Sequence, residues 1–284
     1  MTTAAVRTAR SISKAGAGLG YRFALATELD ANAADIDVVE ILSDQWQAPG
    51  ALDRLRDIAS RFRTVTHGVC LSLAGAGRID EEYLRFLRNV VEVCDSEYYS
   101  EHLAVTHVPG LDSNHLCPPL INEDSLRVCV RNVMQTQDEI GVPLAIENIT
   151  YTVSTAADEL AGASFLADLV TETDSLILLD VANLYINSRN HGFDAMDYLE
   201  RLPLEKVVHI HLAGGLTRHG LLLDTHSEII GEEVWDLARE VARMCRPRTV
   251  IVEHDSNFPE IDALIDEVTR GREIFFGDTE PDTA

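Results

Sequence analysis

The amino-acid sequence predicts an α/β fold, a single-domain (β/α)8 TIM barrel, and three observations support this prediction. Eight short apolar segments rich in β-branched residues recur along the chain. Amphipathic segments with apolar residues at helical spacing separate them. The length of 284 residues is typical of one such barrel. Because strands that alternate with helices form parallel sheets through crossover connections, we expect the eight units to close into a barrel.

The strands and helices follow one another in a regular order. The predicted strands are Leu19–Phe23, Val38–Ser43, Thr64–Leu71, Tyr98–Val105, Leu144–Ile149, Leu176–Val181, Val207–Leu212 and Thr249–Glu253. The predicted helices are Ala51–Arg63, Glu81–Asp95, Asn122–Ile140, Ala156–Glu172, Ala195–Leu202, Glu232–Cys245 and Glu260–Arg270. Helix boundaries have local signals: Asn122 is a predicted N-cap that two acids follow, and Gly141 ends the same helix.

Three segments fall outside this pattern. Residues 106–121 contain four Pro and Gly residues and follow the fourth strand, so we expect an active-site loop there. Residues 1–17 lack the apolar centre of a signal peptide, and we expect a flexible N-terminal arm. The catalytic barrel domain is then predicted over residues 18–276, and a flexible C-terminal tail over residues 277–284.

The composition bears on partners and compartment. The formal net charge of −24 argues against binding a nucleic-acid backbone or an anionic membrane surface. No run of 18 apolar residues predicts a membrane span. The five cysteines are odd in number, widely spread and never in a C-x-x-C pair, which is typical of reduced thiols in a cytoplasmic protein.

Ionisable side chains recur at or just after the C-terminal end of the predicted strands, where barrel enzymes assemble their active sites. A His or Glu inside an apolar strand is costly unless it is paired or coordinated. Imidazoles and carboxylates in one pocket suit a divalent metal. Eight such residues exceed the needs of one ion, so two or more ions that share carboxylates are the simpler interpretation. The predicted ligands are His67, His102, Glu147, Asp180, His211, Asp224, His226 and Glu253.

A structural interpretation of these residues stays open. A lone strand histidine such as His67 can be a satisfied core residue, and a buried acid such as Glu147 can form an ion pair. Basic partners for such pairs are few inside the predicted strands. His209 and His211 point to the same side of their strand; we favour His211 as the ligand and His209 as a supporting or core histidine. His254 is expected to point outward.

The turn after the sixth strand offers candidates for substrate binding. Arg189 could anchor a carboxylate. His191 could cap a helix, bind substrate or act as an acid or base, whereas the structural interpretation is a turn in which Asp194 caps the next helix.

Several motifs together resemble one known family, the multinuclear non-heme iron-dependent oxidative enzymes, which include the methanobactin-forming oxidase and relatives in 3-thiaglutamate biosynthesis. The resemblance extends from about Gly18 to Leu264. Its marks are Gly18-Leu-Gly-Tyr-Arg22, His67-Gly-Val-Cys-Leu-Ser72, Ser100-Glu-His-Leu-Ala104, Ala145-Ile-Glu-Asn148, Leu178-Leu-Asp-Val-Ala-Asn183, Arg189-Asn-His-Gly-Phe-Asp194, His211-Leu-Ala-Gly214, Leu223-Asp-Thr-His226 and Val252-Glu-His-Asp255.

The resemblance implies a barrel that holds two or three iron ions and uses dioxygen as co-substrate to oxidise a peptide side chain, commonly cysteine. The eight residues named above would be the iron ligands. Family members act on ribosomally made precursor peptides, often with a separate partner protein that captures the leader. Within this site the predicted catalytic residues are Glu147, His211 and Asp224; Asn183 joins Arg189 and His191 in substrate binding, and Asn148 and His209 support the ligands.

The sequence departs from the family pattern at four positions: Ala182 replaces an asparagine, Gly215 a histidine, His209 an acid and His254 an aromatic residue. None of these is a predicted ligand, but they bear on the substrate and the product. The alternative function is a sugar isomerase or endonuclease-type barrel that holds divalent ions and has no redox step. An isomerase would need a lysine near the metals, and an endonuclease would need a basic face. A metal-holding scaffold without turnover is a third class.

Overall fold

Eight parallel strands form a closed barrel in the computed structural model, which describes residues 12–108, 110–154, 158 and 160–277. The barrel strands are β1 (Gly16–Gly20), β2 (Val38–Leu42), β3 (Thr64–Gly68), β4 (Tyr99–His102), β7 (Leu144–Glu147), β8 (Leu176–Asp180), β9 (Val207–Arg218) and β11 (Thr249–Glu253). Each strand pairs with the next in this order, and Gly16 opposite Thr249 joins the last strand to the first. The predicted TIM barrel is confirmed.

Helices connect the barrel strands and cover the outside of the barrel. They are α1 (Ala26–Ala31), α2 (Ala51–Arg61), α3 (Glu81–Cys94), α4 (Glu123–Ile140), α5 (Ala161–Thr173), α6 (Val181–His191), α7 (Ala195–Glu200), α8 (Glu232–Met244) and α9 (Ile261–Phe276). As the sequence predicts, the Asn122 side chain accepts from Ser125 N at 2.9 Å at the start of α4, and Gly141 ends that helix with a positive φ of 81°. Among the helices that the structure describes, none has both the length and the apolar character that a membrane crossing requires.

The interior of the barrel is apolar near the N-terminal ends of its strands and polar near their C-terminal ends. Val38, Val65 and Ala145 belong to one buried apolar cluster with Ile12. Each of these strand residues stands two positions before a buried polar residue and therefore points to the same side of the sheet. The apolar cluster thus forms a floor beneath the polar side chains.

Two hairpins extend from the C-terminal side of the barrel. The predicted active-site loop over residues 106–121 contains most of a hairpin, whose antiparallel strands are β5 (Val105–Val108) and β6 (Leu111–Cys117). The other hairpin forms because β9 continues beyond the barrel and pairs with β10 (Leu221–Glu228). The pairing of β9 with β10 is irregular between Asp224 and Glu228, where His226 has a positive φ of 46°.

The structure also differs from the predicted secondary structure in other places. The first strand begins at Gly16 rather than Leu19, because Gly16 to Leu19 pair with Thr249 to Val252. Residues 181–191 form α6, a helix that the sequence did not predict. The predicted helix from Ala156 begins at Ala161; residues 156, 157 and 159 lie outside the described residues. So do residues 1–11 of the predicted arm and residues 278–284 of the predicted tail.

Candidate metal centre

The eight predicted ligands come together at the C-terminal end of the barrel. His102, Glu147, Asp180 and Glu253 are the last residues of their strands. The others lie close by: His67 on β3, His211 on β9, and Asp224 and His226 on β10. Among the described residues seven of the eight, all but Asp224, form three overlapping groups, and within each group the potential ligand atoms lie within 4.8 Å of one another. The groups are His67–His102–Glu147, Glu147–Asp180–His211 and Asp180–His226–Glu253.

Two histidines and one carboxylate make up the first group. Glu147 Oε2 lies 3.5 Å from His67 Nε2 and 3.3 Å from His102 Nε2. The far nitrogen of each ring has its own partner: His67 Nδ1 lies 3.0 Å from Ser100 Oγ, and His102 Nδ1 lies 3.1 Å from the Gly68 carbonyl oxygen. Both rings therefore turn Nε2 toward Glu147.

Glu147 and Asp180 connect the first group to the other two. The second oxygen of Glu147, Oε1, lies 3.5 Å from His211 Nδ1. Asp180 caps α6 through Oδ1, which accepts from Asn183 N at 2.7 Å. Asn148 holds Asp180 in place, because its side chain accepts from Asp180 N and donates to Asp180 O, both at 2.9 Å. The other carboxylate oxygen of Asp180, Oδ2, has no hydrogen-bond partner.

The third group includes the irregular part of β10. His226 Nε2 lies 2.7 Å from Asp224 Oδ1, and its Nδ1 lies 3.0 Å from Asp255 Oδ2. Arg22 donates to Asp255 Oδ1 at 2.6 Å and lies 3.6 Å from Glu253 Oε1. Arg22, which follows β1, therefore contacts one carboxylate of this group, Glu253, and the neighbouring Asp255.

Several atoms that face the interior of these groups are buried and have no hydrogen-bond partner. They are Glu147 Oε2, Asp180 Oδ2, His211 Nδ1, Asp224 Oδ1 and His226 Nε2. The 2.7 Å contact between Asp224 and His226 thus lacks hydrogen-bond geometry. Buried polar atoms are nearly always satisfied, so unpartnered nitrogens and oxygens that converge in this way fit metal ions. The residues present are suited to hold them.

Burial and crowding perturb the acid–base behaviour of the site. Burial raises the pKa of Asp180 well above its ordinary value, and nearby Glu147 raises it further. Burial lowers the pKa of His67 well below its ordinary value. Burial alone would lower the pKa of His211, but Glu253 and other neighbouring carboxylates outweigh it and raise that pKa well above its ordinary value. Such mutual perturbation is typical of functional sites, and bound cations would offset the clustered negative charge.

The predicted substrate-binding and supporting residues lie around the groups. Arg189 is exposed in the last turn of α6. His191 stacks on Tyr151 at 4.3 Å, and its Nε2 lies 2.8 Å from the Tyr151 carbonyl oxygen. Asn183 is buried, and its side chain donates to Asn148 O at 3.1 Å, while its own Oδ1 has no partner.

Two further histidine predictions have different outcomes. His209 is fully buried, as expected for a supporting or core residue, and its Nδ1 lies 3.1 Å from the Tyr98 hydroxyl. His254, which was expected to point outward, is 3% exposed, and its ring lies against Phe258 beyond the end of β11. Asp194 caps α7 by accepting from Met196 N at 2.8 Å, as the structural interpretation of that turn had it.

The sequence reasoning missed Glu40, Glu101, Arg22 and Asp255. Glu40 Oε2 lies 2.9 Å from His211 Nε2, and Glu101 accepts from His102 N at 2.9 Å. Glu40 gave the same signal as the predicted ligands, since it is a lone acid in the apolar segment Val38-Val-Glu-Ile-Leu42.

Comparisons with known proteins find relatives that match most of the chain. The chain is 33% identical over 246 residues to a UPF0276 protein of Caulobacter vibrioides, which covers 86% of this chain and 88% of that protein. It is 36% identical over 262 residues to a UPF0276 protein of Chromobacterium violaceum, which covers 92% of this chain and 95% of that protein.

Solved structures with the same fold include metabolic and nucleic-acid enzymes. A D-psicose 3-epimerase matches with a TM-score of 0.58 at 13% identity, over 93% of this chain and all (100%) of that one. Endonuclease IV from Thermus thermophilus matches with a TM-score of 0.57 at 20% identity, over 90% of this chain and 98% of that one. At such identities the likeness shows the barrel fold alone.

The remaining comparison concerns the family. A family model described as "RiPP precursor modification enzyme MbnB/TglH/ChrH" matches residues 16–275. These residues contain every barrel strand and all three side-chain groups. This agrees with the resemblance that the sequence motifs predict. The chain belongs to the MbnB/TglH/ChrH family of RiPP precursor modification enzymes.

Proposed function

We propose that this protein holds two or three iron ions and uses dioxygen to oxidise a side chain, most simply a cysteine, of a ribosomally made precursor peptide. The observation that carries the proposal is the row of three side-chain groups, in which Glu147 and Asp180 each belong to two neighbouring groups. A carboxylate that belongs to two groups can bridge two ions. Iron bound in this row would supply the redox chemistry with dioxygen.

The donor set supports iron. His67, His102 and Glu147 are two imidazoles and one carboxylate, the donor combination of many non-heme iron oxygenases. The other two groups combine carboxylates with one imidazole each. His67, His102 and Asp180 need little rearrangement to bind. Ser100 and the Gly68 carbonyl group fix the two rings by hydrogen bonds, and the backbone N–H of Asn183 fixes the Asp180 carboxylate.

The surroundings of the centre support a peptide as substrate. Large apolar side chains are exposed on loops and hairpins that follow the C-terminal ends of the strands: Phe23, Leu111, Leu120, Val153, Leu221 and Ile229. Exposed apolar residues around a buried centre suit an extended chain that inserts one side chain. We assign Arg189, an exposed cation at the same end, to a carboxylate of the peptide, and we expect a separate protein to bind the leader.

Non-redox sugar isomerisation has less support. The sequence contains only two lysines, Lys14 and Lys206. Lys206 lies just before β9, at the opposite end of the barrel from the three groups, and bonds Asp174 at 2.8 Å. Lys14 precedes β1 and lies over the Phe276 ring. A lysine near the metals is therefore lacking among the described residues.

Modification of a peptide in cells tests the proposal. The chain should be co-expressed with a short cysteine-containing peptide encoded beside its gene, and the peptide mass measured. We expect an oxidative mass change that disappears in Glu147→Ala and persists in His115→Ala, which removes an exposed histidine of β6. An unchanged mass in iron-replete, aerated cells, or a change that survives Glu147→Ala, would contradict the proposal.

A further inference from the structure

The two ring nitrogens of His211 have different surroundings. Nε2 is hydrogen-bonded to Glu40 Oε2 at 2.9 Å. Nδ1 lies 3.0 Å from Glu253 Oε2 and 3.5 Å from Glu147 Oε1, yet it forms no hydrogen bond. Both His211 and Glu40 are buried, so water does not compensate either atom. The nitrogen without a hydrogen bond is the one that faces the metal groups.

The other three predicted histidine ligands have the opposite arrangement. In His67, His102 and His226, Nδ1 has a hydrogen-bond partner outside the groups, and Nε2 faces a predicted carboxylate ligand, Glu147 or Asp224. His211 is therefore reversed relative to the other three, and Glu40 is the group that meets its far nitrogen.

We propose that Glu40 is a positioning residue, which accepts the Nε2–H of His211 and so leaves the Nδ1 lone pair for metal in the group that His211 forms with Glu147 and Asp180. This inference rests on the metal centre of the proposed function. A carboxylate behind a ligating imidazole fixes its tautomer and ring orientation and makes it a stronger donor. His211 would then bind metal through Nδ1, while the other three histidines bind through Nε2.

Of the two histidines near Glu40, His211 is the one that donates a hydrogen bond to it. His209 Nε2 lies 3.6 Å from Glu40 Oε2 and has no hydrogen-bond partner. The Tyr98 hydroxyl donates to Thr249 Oγ1 at 3.0 Å, so it accepts the proton of His209 Nδ1 at 3.1 Å. With its proton on Nδ1, a neutral His209 has a lone pair on Nε2 and does not compete for Glu40.

A rival arrangement uses the same atoms differently. Glu40, His209 and His211 also lie close enough to hold a metal ion. In that case Nε2 of both histidines would bind metal, and His211 Nε2 would carry no proton. The observed hydrogen bond of His211 Nε2, together with the unpartnered Nδ1, favours the positioning role.

The nitrogen spectrum of the zinc-loaded protein distinguishes these arrangements, because zinc is diamagnetic and metal binding shifts the ring nitrogen that it contacts. The protein should be labelled with ring-15N histidine, loaded with Zn²⁺ without oxygen, and assigned with single-histidine variants. We expect His211 to bind through Nδ1 and to keep its Nε2–H. Binding through Nε2, or loss of that proton, would overturn the inference.

A substitution supplies the second readout. Glu40→Gln keeps the size of the side chain and removes its charge, and we expect about 10- to 100-fold weaker binding of Co²⁺, followed by its visible absorption. Glu40→Asp should restore part of the affinity. The matched control is Glu267→Gln, which changes a buried acid on α9 outside the three groups. Equal Co²⁺ affinity in Glu40→Gln and the wild-type protein would overturn the positioning role.

The same spectra separate this inference from the proposed function. If His67, His102 and His226 show no zinc-induced shifts, the metal centre itself is wrong, and both proposals fall. If those three bind through Nε2 and His211 does not bind through Nδ1, only the role of Glu40 falls.

Discussion

At the scale of single residues, Glu147 has a special place because its two oxygens face different partners. Oε2 faces His67 and His102, whereas Oε1 faces His211. A carboxylate can bridge two ions in this way only if both oxygens are free of other strong partners. Glu147 is buried at the end of β7, where its backbone is fixed by pairing with β4 and β8.

Glu147→Gln should therefore disturb two of the three groups at once. The amide keeps the volume of the side chain but removes the charge and one acceptor oxygen. We expect the zinc content at saturation to fall by one to two ions per chain, with the Asp180–His226–Glu253 group least affected. Elemental analysis after gel filtration measures this, with Glu267→Gln as the matched control. Full zinc content in Glu147→Gln would show that Glu147 does not bridge.

Glu267 carries a pH-dependent part of the stability. Its Oε1 accepts from Ile230 N at 2.6 Å, its Oε2 has no partner, and burial raises its pKa to about 7. The folded protein thus binds this proton more tightly than the unfolded chain does. The contribution is fully present below the unfolded pKa of 4.5 and is lost as the pH rises through 7, on the order of 3 kcal/mol in all.

Urea unfolding of the wild-type protein and Glu267→Gln at several pH values checks this. Between pH 4.5 and 8 the wild-type protein should lose stability relative to the variant, because glutamine has no proton to lose. A constant difference between the two proteins over that range would contradict the assignment.

Sequence reasoning at the residue scale identified the side chains that break an apolar strand near its end, but not their partners. His211 and Glu40 are 171 positions apart, and only the closed barrel brings them together. Arg22 and Asp255 meet across the same closure, 233 positions apart. Such pairings depend on the register of the barrel strands, and a local sequence pattern does not predict that register.

At the scale of elements, the β9–β10 hairpin carries Asp224 and His226 and depends on a close approach of two backbones. Gly214 lies opposite Glu228 in the irregular part of the pairing. A Cβ atom on Gly214 would lie 1.8 Å from the Glu228 carbonyl oxygen, which is far inside contact distance. Glycine is therefore required for β10 to reach its position.

Gly214→Ala should displace β10 and move Asp224 and His226 away from Glu253. We expect the barrel to keep its circular dichroism spectrum while bound zinc decreases, since only the third group is broken. Gly77→Ala is the control, because its Cβ would meet nothing within 4 Å. Unchanged zinc content in Gly214→Ala would mean that the hairpin does not contribute ligands.

The elements that sequence reasoning missed lack the usual local signals of a strand or a helix boundary. Strands β5 and β6 contain Thr106, His107, Asp112, Ser113 and Asn114, so they lack the apolar alternation that predicts a strand. Helix α6 begins directly at the end of β8 because Asp180 is its cap. Because β8 passes directly into α6, no turn residues lie between them to indicate where the strand ends and the helix begins.

At the scale of the whole molecule, metal binding and folding should be coupled. The unpartnered nitrogens and oxygens come from several barrel strands or their extensions, so the sites exist only in the closed barrel. A ligand that binds only the folded state stabilises it by about 2.7 kcal/mol at a free concentration of 100 times Kd.

Thermal unfolding tests this coupling. Removal of metal with a chelator should lower the melting temperature, and Zn²⁺ should raise it again. In the double variant His67→Ala/His102→Ala we expect a smaller shift, since one group is removed. An identical melting temperature with and without metal would contradict the expected coupling.

The repeating strand–helix pattern was enough to predict the barrel, because eight parallel units have few ways to pack. The end of the barrel that carries the site was predictable for the same reason. The row of three groups was not predictable, since the order of ligands around the barrel depends on which oxygen of Glu147 and Asp180 faces which neighbour.

The metal content of protein purified without oxygen tests the central claim most directly, by elemental analysis with Mössbauer spectroscopy. The shared carboxylates predict two or three iron ions per chain that are magnetically coupled. Stable occupancy by zinc, manganese or magnesium, with no iron-dependent uptake of dioxygen, would contradict the account and favour a barrel enzyme without redox chemistry.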